Sequence, residues 1–444
     1  MLTDLEQTRR FAREDRARLD EECALTDRLA ESLTTDGFGR HFVPERWGGC
    51  AGTFTALLDA VSVLSETCAS TAWCGALYAS HSRLASYLPE AGQRELWGGT
   101  PDVRIAASVV PPQGSAERAG DSWRLTGRWA AASGVRQAEW ILLASWAPDP
   151  DGHARGAGPA AGSGGPAPGG REHRIFAVPR DQVRVLDNWH PVGLRGTGSS
   201  TVEADVLVPG HLTFTLRDLG RVQAHRARCH TVPFPLVAAL IFAAPVLGAC
   251  EGVLRTWWDR KAEWLDPAGG LTPRQASDQR VLATASAHIQ AARLLLERAA
   301  QRADHAPVTP VLVAENQRDV TAAVELCCSA TDELFRSSGI RVLDEGDPLQ
   351  RAWRDITAAR SHGTLNFDTA AASYTSALVA ARGAEPGRGT AADLARGAAP
   401  EHAVAEASSG AEPARPAAST HPEPLANAEE AAAPARAAAT EGAR

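Results

Sequence analysis

Residues 193–208 read GLRGTGSSTVEADVLV. The glycines suggest a phosphate loop, but they fall as GxxGxG, and the residues after Ser199 alternate like a strand. A dinucleotide fingerprint requires a helix at that place, because the helix N-terminus receives the pyrophosphate. The dinucleotide reading fails, which leaves a tight glycine turn entering a β-strand. Arg195 and the hydroxyls of Thr197 and Ser199 keep a polar contact with a ligand open. Upstream, SWRLTGRW (122–129), EWILLASW (139–146) and HRIFAVP (173–179) alternate or concentrate β-branched and aromatic residues between Gly/Pro turns. An antiparallel sheet is therefore expected over residues 103–215.

Both flanks read as helical. Residues 1–102 carry charged turns around EDRARLDEE and then a long apolar stretch ending near Leu88, with a Pro/Gly break at FVPERWGGCAG. After the sheet, Thr272-Pro273-Arg274-Gln275 combines a cap, a proline at the first helical position and a glutamine at the third. Val281, Ala285, His288, Ala292, Leu295 and Ala299 then share a face, with His288 expected as a core histidine holding a hydrogen-bond partner. A second helix carries Val320, Val324, Cys327 and Leu334, and a third starts at Asp347-Pro348. The fold class expected is α+β: an N-terminal helical domain (1–102), a β domain (103–215) and a C-terminal helical bundle (216–382). Two segments have compositions that cannot bury a core, an insertion at 148–172 and a tail at 383–444.

Bulk properties exclude several classes of function. A formal net charge of −8 without a basic face argues against nucleic acid and anionic membranes. Eight scattered cysteines, with no metal-ligand spacing, read as reduced thiols of a cytoplasmic protein, and no metal is expected. The charged start, MLTDLEQTRRFARED, lacks a signal peptide's apolar core, and the apolar run 235–250 is short for a membrane span and interrupted by Pro245.

The order FVPERWGG (42–49), TAWCGALYASH (71–81), LTGRWAAASG (125–134), NWHPVGLRGTGS (188–199), ADVLVP (204–209), PVLGACEG (245–252) and LQRAWRDITAARSHGTLNFD (349–368) resembles the acyl-CoA dehydrogenase superfamily. It resembles in particular the branch of two-component flavin-dependent monooxygenases, the aromatic hydroxylases and sugar N-oxygenases. The likeness runs from Leu5 to Val379. It implies reduced flavin (FMNH2 or FADH2) delivered by a separate NAD(P)H-dependent flavin reductase, reaction with O2 to a C4a-hydroperoxide, and hydroxylation or N-oxidation of a small phenolic or amino substrate. Such enzymes are usually homotetramers. Ordinary dehydrogenases of the superfamily place a glutamate just beyond an Arg-Asp pair or on the first bundle helix. Here no carboxylate follows Arg354-Asp355 until Asp368, and residues 233–250 contain none.

His362 stands near that vacant position. Its own spacing allows a cation at a helix end, worth roughly 0.3–1 kcal/mol through the helix dipole. The resemblance implies catalysis or substrate contact, where an imidazole near its reference pKa of about 6.5 would take a proton from a phenol or ammonium group. The resemblance also implies a substrate-facing His81, a flavin-side Ser133, a second lining serine at Ser108, and aromatic walls at Trp73 and Trp129. Arg226, Arg228 and Arg255 are candidates for the flavin phosphate, and Arg354-Asp355 reads as an ion pair between bundle helices. Two rival readings are an acyl-CoA dehydrogenase or oxidase using FAD, and a non-catalytic flavin-fold binding subunit.

Overall fold

A computed structural model of the chain describes residues 2, 4–149, 170–220, 226–265 and 272–383. Most of the expected insertion (150–169) and the expected tail from 384 lie outside the described residues. The N-terminal helices are α1 (Glu6–Glu14), α2 (Arg16–Glu21), α3 (Asp27–Thr35), α4 (Phe54–Ser65), α5 (Ala69–Ala85) and α6 (Glu90–Trp97). The strands follow: β1 (Ile105–Ser108), β2 (Ser115–Ala119), β3 (Ser122–Ala132), β4 (Trp140–Pro148), β5 (Arg171–Pro179), β6 (Arg184–Val185), β7 (Ser200–Pro209) and β8 (Thr213–Thr215). The C-terminal part holds α7 (Arg228–Thr231), α8 (Phe234–Lys261), α9 (Pro273–His305), α10 (Pro310–Ser337), α11 (Pro348–Arg360) and α12 (Phe367–Gly383). This is the α+β architecture expected from the sequence.

The strands join in one sheet of order β6-β7-β3-β2-β4-β5-β8, with β1 beside β4. Its pairs are antiparallel except that β1 and β2 meet β4 in parallel, a departure from a purely antiparallel sheet. The long pairing of β3 with β7 carries the site: it shifts register between Trp129 and Ala132, and Ala132 pairs with Ser200. A bulge of this kind re-aims the end of a strand, here just before Ser133.

Two helices are apolar on nearly every side, as buried helices must be. In α5 every residue but Ser80 is buried. Helix α8 is buried from Leu236 to Cys250 apart from Phe242, and it runs on through Pro245 to Lys261. Among the described residues it is the one helix long and apolar enough to cross a membrane, but 78% of that window is buried inside the protein. Pro245, read from sequence as an interruption of the apolar run 235–250, lies inside the continuous helix. Its close approach to α4 depends on Gly248, where an added Cβ would meet the Ser62 carbonyl oxygen at 2.0 Å.

The cap of α9 forms as expected, with Thr272 and Gln275 bonded reciprocally. The face of that helix is rotated slightly from the expected one: Ile289 and Leu296 are buried, whereas His288 and Leu295 are half-buried. His288 is thus not a satisfied core histidine, since its Nδ1 is enclosed without a hydrogen bond.

Candidate active site

Helix α11 ends at Arg360, and His362 opens a 3-10 turn, Gly363–Leu365, by accepting the Thr364 N–H on Nδ1 (3.3 Å). With Nδ1 an acceptor, the neutral ring carries its proton on Nε2. The half-buried ring stacks on Phe242 of α8, centroids 3.8 Å apart, and meets Trp73 of α5 edge-on at 5.9 Å. Trp73 and Phe242 lie 5.1 Å apart, so three rings from three elements form one aromatic wall. Burial alone pushes the His362 pKa down to about 4. The imidazole is therefore neutral at pH 7, which removes the helix-end cation. It also removes a base of pKa near 6.5, because apolar surroundings disfavour the charged ring. Asp368, the next carboxylate, is exposed on α12.

A string of buried hydroxyls adjoins this wall. Trp73 Nε1–H donates to Ser133 Oγ (3.3 Å), Ser133 Oγ lies 2.7 Å from Ser199 Oγ, and Ser199 Oγ lies 2.7 Å from Thr197 Oγ1. Thr197 Oγ1–H then donates to the Leu194 carbonyl (2.8 Å). The turn that positions Ser133 is held from both sides: Tyr78 O–H donates to Gly134 O (2.8 Å), and Gly134 N–H donates to Thr197 O (2.7 Å). Gly134 has φ +67°, and a Cβ there would strike Tyr78.

The loop 193–199 is a 3-10 turn, Arg195–Thr197, bounded by left-handed Leu194 and Gly198. It docks on α11: Leu194 N–H donates to Asp355 Oδ1 (2.6 Å), and Gly193 lies against the Arg354 carbonyl. Asp355 is buried, which raises its pKa to about 6 against the pull of Arg351 and the Leu194 N–H. The expected Arg354-Asp355 ion pair between bundle helices is corrected accordingly. Arg354 reaches Gln350 and the Val192 carbonyl, and both Arg351 (2.9 Å) and Arg354 (3.6 Å) pair with Asp20 of α2 rather than with Asp355.

Other expected residues sit elsewhere. Arg195 does not face the hydroxyls; it donates to the Asp20 and Pro191 carbonyls and ties the turn to α2. Trp129 is fully enclosed in the sheet core, with Nε1–H on the Ala144 carbonyl, so it is no exposed wall. Ser108 is buried and donates to the Ala130 carbonyl (2.7 Å). His81, two turns along α5 from Trp73, donates Nδ1–H to the Ile105 carbonyl (2.8 Å), which leaves its Nε2 lone pair without a partner among the described residues. Burial lowers its pKa to about 4, partly offset by that bond. Arg228 closes the end of α9 on Ala303 and Ala306, Arg255 pairs with Glu66 (2.7 Å), and Arg226 donates to the Ser86 carbonyl. Phe242 and Tyr78 were not singled out from sequence; each lies in a helix whose neighbours are equally apolar.

Two surface concavities among the described residues lie away from these groups. The larger, about 680 Å³ beside Thr55 and Arg302, is lined by Asp304, which caps α4, by Arg302, which pairs with Asp319, and by Arg298 and His305.

Helices, a central sheet and a helical bundle meeting at this aromatic wall define the acyl-CoA dehydrogenase fold, and the family model for the acyl-CoA dehydrogenase C-terminal domain matches residues 240–367. The FADH(2)-dependent resorcinol hydroxylase oxygenase component of Rhizobium sp. (strain MTP-10005) is 32% identical over 358 residues, covering 73% of this chain and 80% of that protein. The oxygenase subunit HsaA of a flavin-dependent monooxygenase from Rhodococcus jostii (strain RHA1) is 29% identical, covering 79% and 90%. Among solved structures, XiaF from Streptomyces sp., in complex with FADH2 and glycerol, superposes with a TM-score of 0.72 at 25% identity, covering 87% of this chain and 96% of XiaF. The chain belongs to the oxygenase components of the two-component flavin-dependent monooxygenases, and it is an oxidoreductase of that class.

Proposed function

We propose that this protein hydroxylates a small phenolic aromatic compound, using reduced flavin supplied by a separate NAD(P)H-dependent flavin reductase. The observation that carries this reading is the His362 imidazole stacked on Phe242 and set edge-on to Trp73. Abstraction of a carbon-bound proton beside a thioester needs a carboxylate at that place, which argues against the acyl-CoA reading.

The residues present fit a flavin. The aromatic wall offers a flat apolar face, and Ser133 offers a buried hydroxyl beside it. When bound, reduced flavin supplies the electrons that activate O2. FADH2 is favoured over FMNH2 because the names of two relatives carry it. The rest falls to the chain's own groups. Trp73 and Phe242 exclude water, which strengthens each polar contact inside. His362, with its proton on Nε2, donates a hydrogen bond to a phenolic oxygen and stabilises negative charge there. His81 offers the complementary lone pair, so of the two imidazoles it is the acceptor. This role for His362 differs from the one expected from sequence, a base; for His81 only a place facing the substrate was expected.

The test couples the full-length protein to a flavin reductase with NADH, FAD and a panel of simple phenols under ¹⁸O2. Incorporation of one labelled atom into a phenol is the expected result. Dye reduction by an acyl-CoA without labelled product would refute the reading.

A further inference from the structure

We propose that Tyr78 is a positioning residue for the site: its phenol fixes the Ser133 turn against the aromatic wall, and so sets how much reduced flavin is spent on product rather than on hydrogen peroxide. This rests on the flavin reading above. The turn does not hold itself in place. Pairing of β3 with β7 lapses between Trp129 and Ala132, and Ala131, exposed there, has φ +59°. A residue with a Cβ adopts that left-handed conformation at a cost, and it persists only where the surroundings over-determine it.

Helix α5 provides those surroundings. Three of its side chains reach the site: Tyr78 O–H on Gly134 O (2.8 Å), Trp73 Nε1–H on Ser133 Oγ (3.3 Å) and Cys74 S–H on Thr197 O (3.7 Å). The Tyr78 bond is the shortest of them and grips the backbone. Gln137 N–H also donates to Gly134 O (3.3 Å), but it belongs to the same turn and ties it to nothing else. Gly134 N–H on Thr197 O (2.7 Å) passes the hold to the 193–199 turn, which Asp355 seats on α11, just before His362. Tyr78 thus registers Ser133 against Trp73 on its own helix and, through that turn, against His362. It is 1% exposed, and burial pushes its phenol well above its ordinary pKa, so it keeps its proton and remains a donor. The ring also blocks approach: a Cβ at Gly134 would stand 2.6 Å from Tyr78 Oη. Loss of the O–H alone therefore frees the turn to retreat from α5 and not to advance.

Reduced flavin that reacts with O2 without oxygen transfer gives oxidised flavin and H2O2, two electrons and two protons passing to O2. A displacement of about 1 Å costs a positioned reaction up to about a hundredfold, so a loosened turn favours H2O2. The experiment compares the full-length protein with Tyr78→Phe and Tyr87→Phe. Tyr87 is the control, since its buried O–H also donates to a backbone carbonyl, that of His230 (2.6 Å), and takes no part in the turn. The readouts are the anaerobic dissociation constant of reduced FAD and the H2O2 formed per product, with the phenol of the panel that is turned over fastest. Tyr78→Phe is expected to weaken reduced FAD by about three- to tenfold, the worth of one hydrogen bond, and to raise H2O2 per product at least as much. Tyr87→Phe is expected to change neither. Unchanged values in Tyr78→Phe, or equal changes in both variants, overturn the proposal and leave the flavin site standing. If Tyr78→Phe does not fold, Tyr78→Met, which fills the space without an O–H, decides in the same way. If no phenol is turned over, the binding comparison decides alone; if the unmodified protein binds no reduced FAD, the flavin site falls and this proposal with it.

Discussion

At the scale of single residues, the question at His362 is which nitrogen carries the proton. Acceptance of the Thr364 N–H by Nδ1 makes Nε2–H a donor, and a pKa of about 4 makes the ring a weak base. His362→Ala is expected to reduce kcat by about 10²–10³, as loss of one charge-stabilising donor does. His362→Gln, whose amide can still donate, is expected to stay within about tenfold of the unmodified enzyme; steady-state kinetics of the two variants separates donor from base. For the same reason kcat/KM should show no break near the reference histidine pKa of about 6.5, and a pH profile with a break there would restore the base. The sequence pointed to His362, Ser133 and Trp73 because they lie in ordered motifs. It could not give a tautomer, which is set by one backbone N–H two residues away. It misplaced Trp129, since a strand tryptophan reads alike whether it faces a core or a ligand.

Among elements, the decisive contact is the glycine turn seated on α11. Its status as a turn was legible from GLRGTGS, because a helix cannot follow from alternating residues. Its seat was not legible, because Gly193 and Arg354 are remote in sequence and nothing local marks their meeting. A Cβ at Gly193 would stand 2.1 Å from the Arg354 carbonyl oxygen, with the Asp355 amide nitrogen also in reach at 2.7 Å. Both are backbone atoms of a helix and cannot swing aside. Gly193→Ala should therefore destabilise by about 1–3 kcal/mol, as overpacking does, and displace Leu194 from Asp355. Urea denaturation measures the first effect, and weakened binding of reduced FAD reports the second, since the same turn anchors Thr197. A variant as stable as the parent would show that the turn does not bear on α11.

Across the whole molecule, burial of histidines sets acid stability. His41, His81, His173, His230 and His362 are each held at a pKa of about 4 by burial. In the unfolded chain they titrate near about 6.5. Between those values the unfolded state takes up protons that the folded state refuses, so stability is fully present above about pH 6.5 and is lost as pH falls towards about 4. Asp355, raised to about 6, acts in the opposite sense: the folded state holds a proton that the unfolded chain releases down to about 3.8. Asp36 and Asp59, also raised by burial, act in the same sense as Asp355, and three such carboxyls against five histidines leave a net loss. The urea midpoint is expected to fall steeply from about pH 6.5 to about 4.5, and a flat midpoint over that range would contradict the buried, neutral state of these rings.

The chain by itself determined the succession of helices, strands and helices and the caps at Thr272 and Asp347. These are properties of periodicity, turn chemistry and composition, and they act over a few residues. Only the tertiary structure decided which rings meet, which hydroxyls come within hydrogen-bond reach of one another, and that His362 is desolvated. Hydrogen-bond reach and desolvation depend on groups brought together from α5, α8, α11 and the β3–β7 edge, and no local pattern encodes such distances.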